Sequence, residues 1–417
     1  NMKSCDIAIV GGGPAGSMAA IQAAQFKKNV ILVEKNDSIG AKLLITGRGR
    51  CNITNVSPLD VFIEKFGKQG NFLRSAFYSF SNQDLIMFFE SKGLKLKSER
   101  QGRVFPDTDK AGSVKETLES CLKAAGINVV YKSPLLDIKK KDDIFELYLK
   151  SGSKIYSKKV ILATGGVSYA ETGSTGEGLQ IARLLGHTIV PLRAALVPLR
   201  TKEAWVKELQ GISLENVRIT FTAGGKKIDS DTGEMMFTHF GVSGPLVLDL
   251  SGKVIELISQ GVDMRLFIDL KPGLDNEKLE KRLLNDFKEK GRVQVLTVME
   301  GLVPKRMAPV MVRLAGLPHS QKASQVTQEQ RGSIARTLKA MPLTIAGALS
   351  IQDGMVTNGG VSTKEINPRT MESRILPGLY FAGEVIDGAA PSGGYNLQQA
   401  FSTGFLAGRE AARCKSA

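Results

Sequence analysis

The run Ile7-Ala8-Ile9-Val10, leading into Gly11-Gly12-Gly13-Pro14-Ala15-Gly16, restricts what this chain can fold into more than any other stretch. Four apolar residues in succession suit a strand covered on both faces, and the alanine-rich segment that follows to Gln25 reads as a helix. Gly11 allows the tight turn between them. Gly13, with no Cβ, lets a pyrophosphate approach the N–H groups at the helix N-terminus, where the dipole favours anions. Pro14 and Ala15 belong to the same cradle, and Gly16 with Ala20 makes a flat face that can press on the strand. A second apolar run, Val30-Ile31-Leu32-Val33, ends at Glu34, 18 residues beyond Gly16. That spacing suits an acid that hydrogen-bonds an adenosine ribose and repels a 2′-phosphate. Lys35 and Lys42 are assigned to the same nucleotide site.

Three further stretches share this syntax. Thr46-Gly47-Arg48-Gly49-Arg50-Cys51-Asn52-Ile53-Thr54-Asn55 is too polar for a core strand and too patterned for a linker. It reads as a loop touching a polar ligand, with Thr46, Gly47, Arg50, Cys51 and Asn52 at the cofactor. Arg48 and Arg50 suit either a substrate carboxylate or a pyrophosphate. Val160 to Gly166 is a second buried strand entering glycines, so that Ala163, Thr164 and Gly165 pass close to the dinucleotide. Near the end, a strand reaches Gly383-Glu384, and Gly393-Gly394-Tyr395-Asn396-Leu397 opens a closing helix to Ala412.

Two glycine-to-helix junctions at opposite ends of the chain call for a ligand long enough to touch both, and that favours FAD over NAD. The pyrophosphate would lie on the Gly13 helix and the isoalloxazine on the Gly394 helix. There the amides of Gly393, Gly394 and Asn396 oppose charge gathered at N1 and O2. Glu384 is expected to accept from ribityl hydroxyls. No second Gly-x-Gly-x-x-Gly unit follows, so NAD(P)H is expected only as a transient donor at the flavin.

A chain of 417 residues exceeds one compact core. The expected architecture is α/β: a discontinuous Rossmann-like FAD-binding domain over 2–190 and 343–417, with an inserted β-barrel-like domain over 191–275 and 329–342. A helical cap subdomain is expected over 276–328. Short strands are expected in the insert, among them Val254 to Ile258. The net charge of +15 is partly local, with seven Lys and Arg against one acid between Val303 and Lys339. No aromatic interleaving accompanies it, so nucleic-acid binding through this region is an alternative and not the leading reading. Cys5, Cys51, Cys121 and Cys414 are too dispersed for a zinc site or a dithiol pair, and no metal is expected. No apolar run approaches a membrane span, and the chain is expected to be cytoplasmic. Asn1 before Met2 reads as a tag remnant.

Taken together, the Thr46 to Asn55 motif, Ala163-Thr164-Gly165-Gly166, Thr238-His239-Phe240-Gly241-Val242-Ser243-Gly244-Pro245, and Gly383-Glu384 followed by Gly393 to Leu397 resemble the BaiN and aminoacetone oxidase type of FAD-binding protein. The resemblance spans nearly the whole chain. It implies an FAD-dependent oxidoreductase of the same discontinuous plan, acting on a small organic substrate by oxidising an amino ketone or reducing a steroid enone. Enone reduction requires a proton donor at the α-carbon. His239, Tyr395 and Arg50 are the candidates taken forward; Tyr169 and Cys51 also lie on expected flavin loops. The alternative is an FAD-containing protein that binds or modifies RNA through residues 303–339.

Overall fold

The structure is a computed structural model, and it describes residues 2–350 and 354–413; residues 351–353, at the end of an expected strand, and Cys414 lie outside the described residues. The chain folds into two compact units, one comprising residues 1–195 and 351–417, the other residues 196–350.

The first unit is built on β1 (Met2–Val10), whose inward residues Ile7, Ala8 and Ile9 are almost fully buried. Proline at its first position starts α1 (Pro14–Ala24), which is buried from Ala15 to Ala23. β2 (Val30–Val33) then pairs in parallel with β1, Ile7 opposite Val30 and Val10 opposite Val33. Beyond α2 (Ala41–Ile45) the chain forms a small satellite layer. It contains β3 (Thr54–Asn55), α3 (Leu59–Lys65), α4 (Gly70–Ser79), α5 (Asn82–Ser91), β4 (Leu96–Ser98) and β5 (Arg103–Pro106). A capping box, Ser81 with Asp84, starts α5. β3, β5 and β4 make a three-stranded antiparallel sheet.

After α6 (Ala111–Ala124), β6 (Asn128–Val130) adds to β2 as the next parallel strand. A meander of β7 (Leu135–Lys141), β8 (Ile144–Leu149) and β9 (Lys154–Leu162) completes the sheet. The pattern of Lys154 to Tyr156 and Val160 to Leu162 reads as two strands. They are one, because β9 pairs along its whole length with β1 and changes its other partner from β8 to β19 (Leu379–Phe381) midway. The sheet order is β6-β2-β1-β9-β8-β7, with β19 on β9. α7 (Glu177–Leu184) and a two-stranded ribbon of β10 (Ile189–Ala195) with β18 (Val356–Val361) finish this part.

The closing helix α13 (Tyr395–Ala412) crosses α1 at very short range. A Cβ at Gly404 would come 2.2 Å from Ala15 O, and one at Gly408 would come 2.3 Å from Ala19 O. Only side-chain-free positions let two helix backbones meet so closely. This contact is what holds both ends of the chain on one core.

The second unit carries a seven-stranded antiparallel sheet, ordered β13-β12-β14-β15-β11-β17-β16 with β12 also on β16. Its strands are β11 (Leu199–Thr201), β12 (Ser213–Ala223), β13 (Lys226–Asp229), β14 (Gly233–Phe237), β15 (Gly241–Ser243), β16 (Met264–Asp269) and β17 (Met341–Ala348). The β12–β16 pairing closes it into a ring. Its helices are α8 (Pro245–Ile258), α9 (Asn276–Glu289), α10 (Val295–Glu300), α11 (Ala308–Leu314) and α12 (Gln328–Lys339). Val254 to Ile258 is therefore helix, not strand. Pro245 at the first position starts a helix whose buried residues, Val247, Leu248, Ser251 and Val254, recur at helical spacing. Leu279, Leu283 and Phe287 from the stretch expected to be a separate cap share one apolar cluster with the sheet residues Ile219, Phe221 and Leu266. Sheet and helices thus form one unit.

Candidate functional site

The first unit contains a crevice of about 1320 Å³, counting its open mouth. Its floor is the turn from Val10 to Ala15. Glu34, Lys35 and Lys42 form one wall, Ala163, Thr164 and Gly165 another, and residues 172–178 border it. The far end is closed by Gly383, Glu384, Asn396, Leu397, Gln399 and Ala400, with Thr46 at its edge. The cofactor residues expected from β1, β2, β9, β19 and α13 thus converge on one elongated cleft.

Gly11 adopts φ +104°, and a Cβ there would sit 2.4 Å from Ala163 O. Gly13 differs: a Cβ on it would meet nothing within 4 Å. That open space lies at the N-terminus of α1, where no side chain caps the first turn. Glu34 is held rigidly at the end of β2, its two oxygens accepting from Gly12 N (2.7 Å) and Asn36 N (2.8 Å). Lys35 Nζ donates to Thr175 Oγ1 (2.9 Å) and pairs with Glu177 (3.1 Å).

At the other end a polar cluster crosses the crevice. Lys42 Nζ lies 2.6 Å from Glu384 Oε2 and 2.7 Å from Ser168 Oγ. Glu384 Oε1 accepts from Ser168 Oγ (3.0 Å) and Thr357 N (2.7 Å). The Glu384 carboxylate, expected to face ribityl hydroxyls, therefore already has three protein donors. Ser168 and Thr357, which no motif singled out, are what fix it.

Seven of the expected cofactor residues do not line the crevice. Gly16 is needed for packing, since its Cβ would lie 1.8 Å from Gly11 O, and a Cβ on Gly394 (φ +98°) would lie 2.3 Å from Thr54 O. Gly47 sits against Asn52 N and the Phe105 ring. Arg50 turns away to Glu99 and Asp109, with its guanidinium carbon 4.1 Å over Phe105. Bonds to these two carboxylates push its proton affinity further up, so it is no acid. Cys51 is fully buried, and burial pushes its thiol up to about 12, which excludes a thiolate at neutral pH. Asn52 lies beside it. Tyr395 packs edge-on to Phe62 at 4.8 Å in a satellite cluster with Leu73 and Phe77. His239 belongs to the second unit, exposed on the turn between β14 and β15 with its ring 4.9 Å from that of Phe240.

The 303–339 stretch is less free than its charge suggests. Arg306 donates to Glu208 O and Gln210 O, Arg313 pairs with Glu208, Arg331 donates to Val326 O, and Lys339 pairs with Asp269. The second unit holds 22 Lys and Arg against 17 Asp and Glu, net +5, so the other +10 belongs to the first unit.

The cleft fits a long, polar, anionic ligand. Two buried atoms in its walls, Thr164 Oγ1 and Gln399 Nε2, have no partner within the protein. Gln399 is 2% exposed, so a ligand is the natural acceptor for its amide. An uncapped helix end, a void above Gly13, a fixed carboxylate at ribose distance in sequence and orphaned donors further along match the parts of FAD.

Comparison with known proteins agrees. The family profile described as HI0933-like protein Rossmann domain matches residues 5–410. A 3-dehydro-bile acid delta(4,6)-reductase from Clostridium scindens is 33% identical over 408 residues, 97% of this chain and 98% of that protein. A ribosomal RNA dihydrouridine synthase from Haemophilus influenzae is 31% identical, covering 95% of this chain and 96% of that one. Among solved structures, the open conformation of a flavocytochrome c3 fumarate reductase aligns with a TM-score of 0.55 at 20% identity, covering 98% of this chain and 78% of that one.

Proposed function

The chain belongs to the HI0933-like Rossmann family and is an FAD-dependent oxidoreductase, and from that premise we propose that it saturates a carbon–carbon double bond conjugated to a carbonyl. The observation that carries the proposal is a shared chemistry. A bile-acid Δ4,6-reductase and a dihydrouridine synthase, each similar over nearly the whole chain, both name the reduction of an alkene polarised by a carbonyl. Bound FAD would supply hydride to the β-carbon.

The chain's own groups do the rest. The α1 N-terminus and Gly13 would hold the pyrophosphate and Glu34 the ribose, and Gln399 would donate to the ligand along α13. The Lys42–Glu384 pair fixes the walls where α13 begins. The α-carbon still needs a proton, which water at the open mouth of the crevice can supply.

The test is anaerobic: the enzyme is reduced by NADPH, then mixed with 3-oxo-4-cholenoate or with oligouridylate. Reoxidation of the flavin with stoichiometric loss of the double bond supports the reading. Reduced flavin that neither substrate reoxidises, but that reoxidises once air is admitted, refutes it. A second reading makes the reduced ring a uracil in RNA. It is favoured by the net charge of +15, and the oligouridylate arm distinguishes it.

A further inference from the structure

The carboxylates of Glu99, in the turn between β4 and β5, and of Asp109, just beyond β5, are both consumed by Arg50 and Lys97. Two neighbouring cations are left over. Arg103 Nε donates to Arg100 O (3.2 Å), which fixes the Arg103 guanidinium against the backbone of the turn that carries Arg100, and neither guanidinium meets a carboxylate among the described residues. Arg100 is exposed and Arg103 half-buried. Their turn is tightly specified, with Gln101 at φ +61° and Gly102 at φ +72°.

This turn is also tied to the α13 end of the crevice. Asn55 Nδ2 donates to Gln101 O (2.9 Å) and to Gly393 O (3.0 Å), so one amide clamps the arginine turn to the glycines that precede α13. Asn396 and Leu397, just inside that helix, line the crevice. A third unpaired cation, Arg48, is exposed on the neighbouring loop with φ +58°, a left-handed conformation that a non-glycine residue adopts only when its surroundings impose it.

We propose that Arg100 and Arg103 form an oxyanion-binding rim at the α13 end of the FAD crevice and hold a carboxylate or phosphate carried by the substrate. Guanidinium groups suit this because their planar fork donates in pairs to either anion. The inference rests on the function proposed above only in placing the substrate at this end. It reassigns the anion-binding role read from the Thr46 to Asn55 motif, since Arg50 is already neutralised.

The experiment measures binding to the oxidised holoenzyme by perturbation of the flavin spectrum. The probes are 3-oxo-4-cholenoate, its uncharged methyl ester, and oligouridylate. The double variant Arg100→Gln, Arg103→Gln is expected to weaken at least one anionic probe ten-fold or more, with FAD content and binding of the ester unchanged. The probe that responds tells whether the anion is a carboxylate or a phosphate. Arg103→Lys should recover part of the loss. Lys92→Gln with Lys123→Gln removes the same charge elsewhere and should change binding less than two-fold. The rim is overturned if neither anionic probe binds the unaltered protein, if both lose less than two-fold in the arginine variant, or if the ester weakens as much as the acid. Arginine-dependent binding without any reoxidation of reduced flavin by either anion would sustain the rim and refute the proposed reaction.

Discussion

Substituting Gly13 by alanine separates a ligand-binding glycine from a structural one. Its backbone, φ −74° and ψ −175°, lies in the extended region open to any residue, and the added Cβ meets no protein atom within 4 Å. The apoprotein should therefore be unharmed, or stabilised by about 0.4–1 kcal/mol through a less flexible unfolded chain. The methyl instead enters the space above the α1 N-terminus that a pyrophosphate must occupy. Forcing one extra methyl into a close-packed contact costs about 1–3 kcal/mol, equivalent to about 5- to 150-fold in FAD affinity. At Gly16 the reverse holds: a Cβ 1.8 Å from Gly11 O collides with backbone, so Gly16→Ala should cost the fold itself about 3 kcal/mol or more. Denaturant melts of the two apoproteins, with FAD titrations followed by quenching of flavin fluorescence, give both quantities. Unimpaired FAD binding by Gly13→Ala, or destabilisation of its apoprotein as large as that of Gly16→Ala, would refute the assignment of this void to the pyrophosphate.

Other outcomes follow from the same geometry. Lys42→Met leaves the partly buried Glu384 without its cation; both groups keep some solvent contact, so the loss should be about 1–2 kcal/mol, with a coupling seen in the double-mutant cycle with Glu384→Gln. Because burial raises the Cys51 thiol from 9.0 to about 12, the unfolded chain ionises first as pH rises. Its stabilising contribution is full below 9 and declines towards 12, and in the folded protein this thiol should resist alkylation at pH 8. His187 behaves oppositely. Burial lowers its pKa from 6.5, so the unfolded chain takes up the proton first. Stability should fall as pH drops below 6.5, less steeply in His187→Gln, as melts across that range would show.

The nucleotide half of the site was legible because it is local. Strand, turn, helix and acid lie within 34 residues, and each residue's task there is set by its immediate neighbours. The Thr46 to Asn55 loop was less legible for the complementary reason: Thr46 reaches the edge of the crevice, while Gly47, Arg50, Cys51 and Asn52 do not line it. Polar residues and glycines look alike whether a loop grips a ligand or folds on its own scaffold, and what decided the matter was Glu99 and Asp109, 49 and 59 residues downstream of Arg50. The β-branched run at Val254 to Ile258 misled because a short apolar stretch carries no period of its own; the helix start at Pro245 lay nine residues earlier. α13 shows how far local reasoning could have gone. Asn396 and Ala400, one turn apart, face the crevice, and a helix that turns its 396 face to the ligand must point residue 395 about 100° away. Leu397, a further turn of about 100° round on the opposite side, lines the crevice as well, so the helix turns its 396–397–400 face to it and Tyr395 lies at the edge of that face. The free arginines could not be found by local reasoning, because a cation is left unpaired only when every acid near it in space has been claimed by another group.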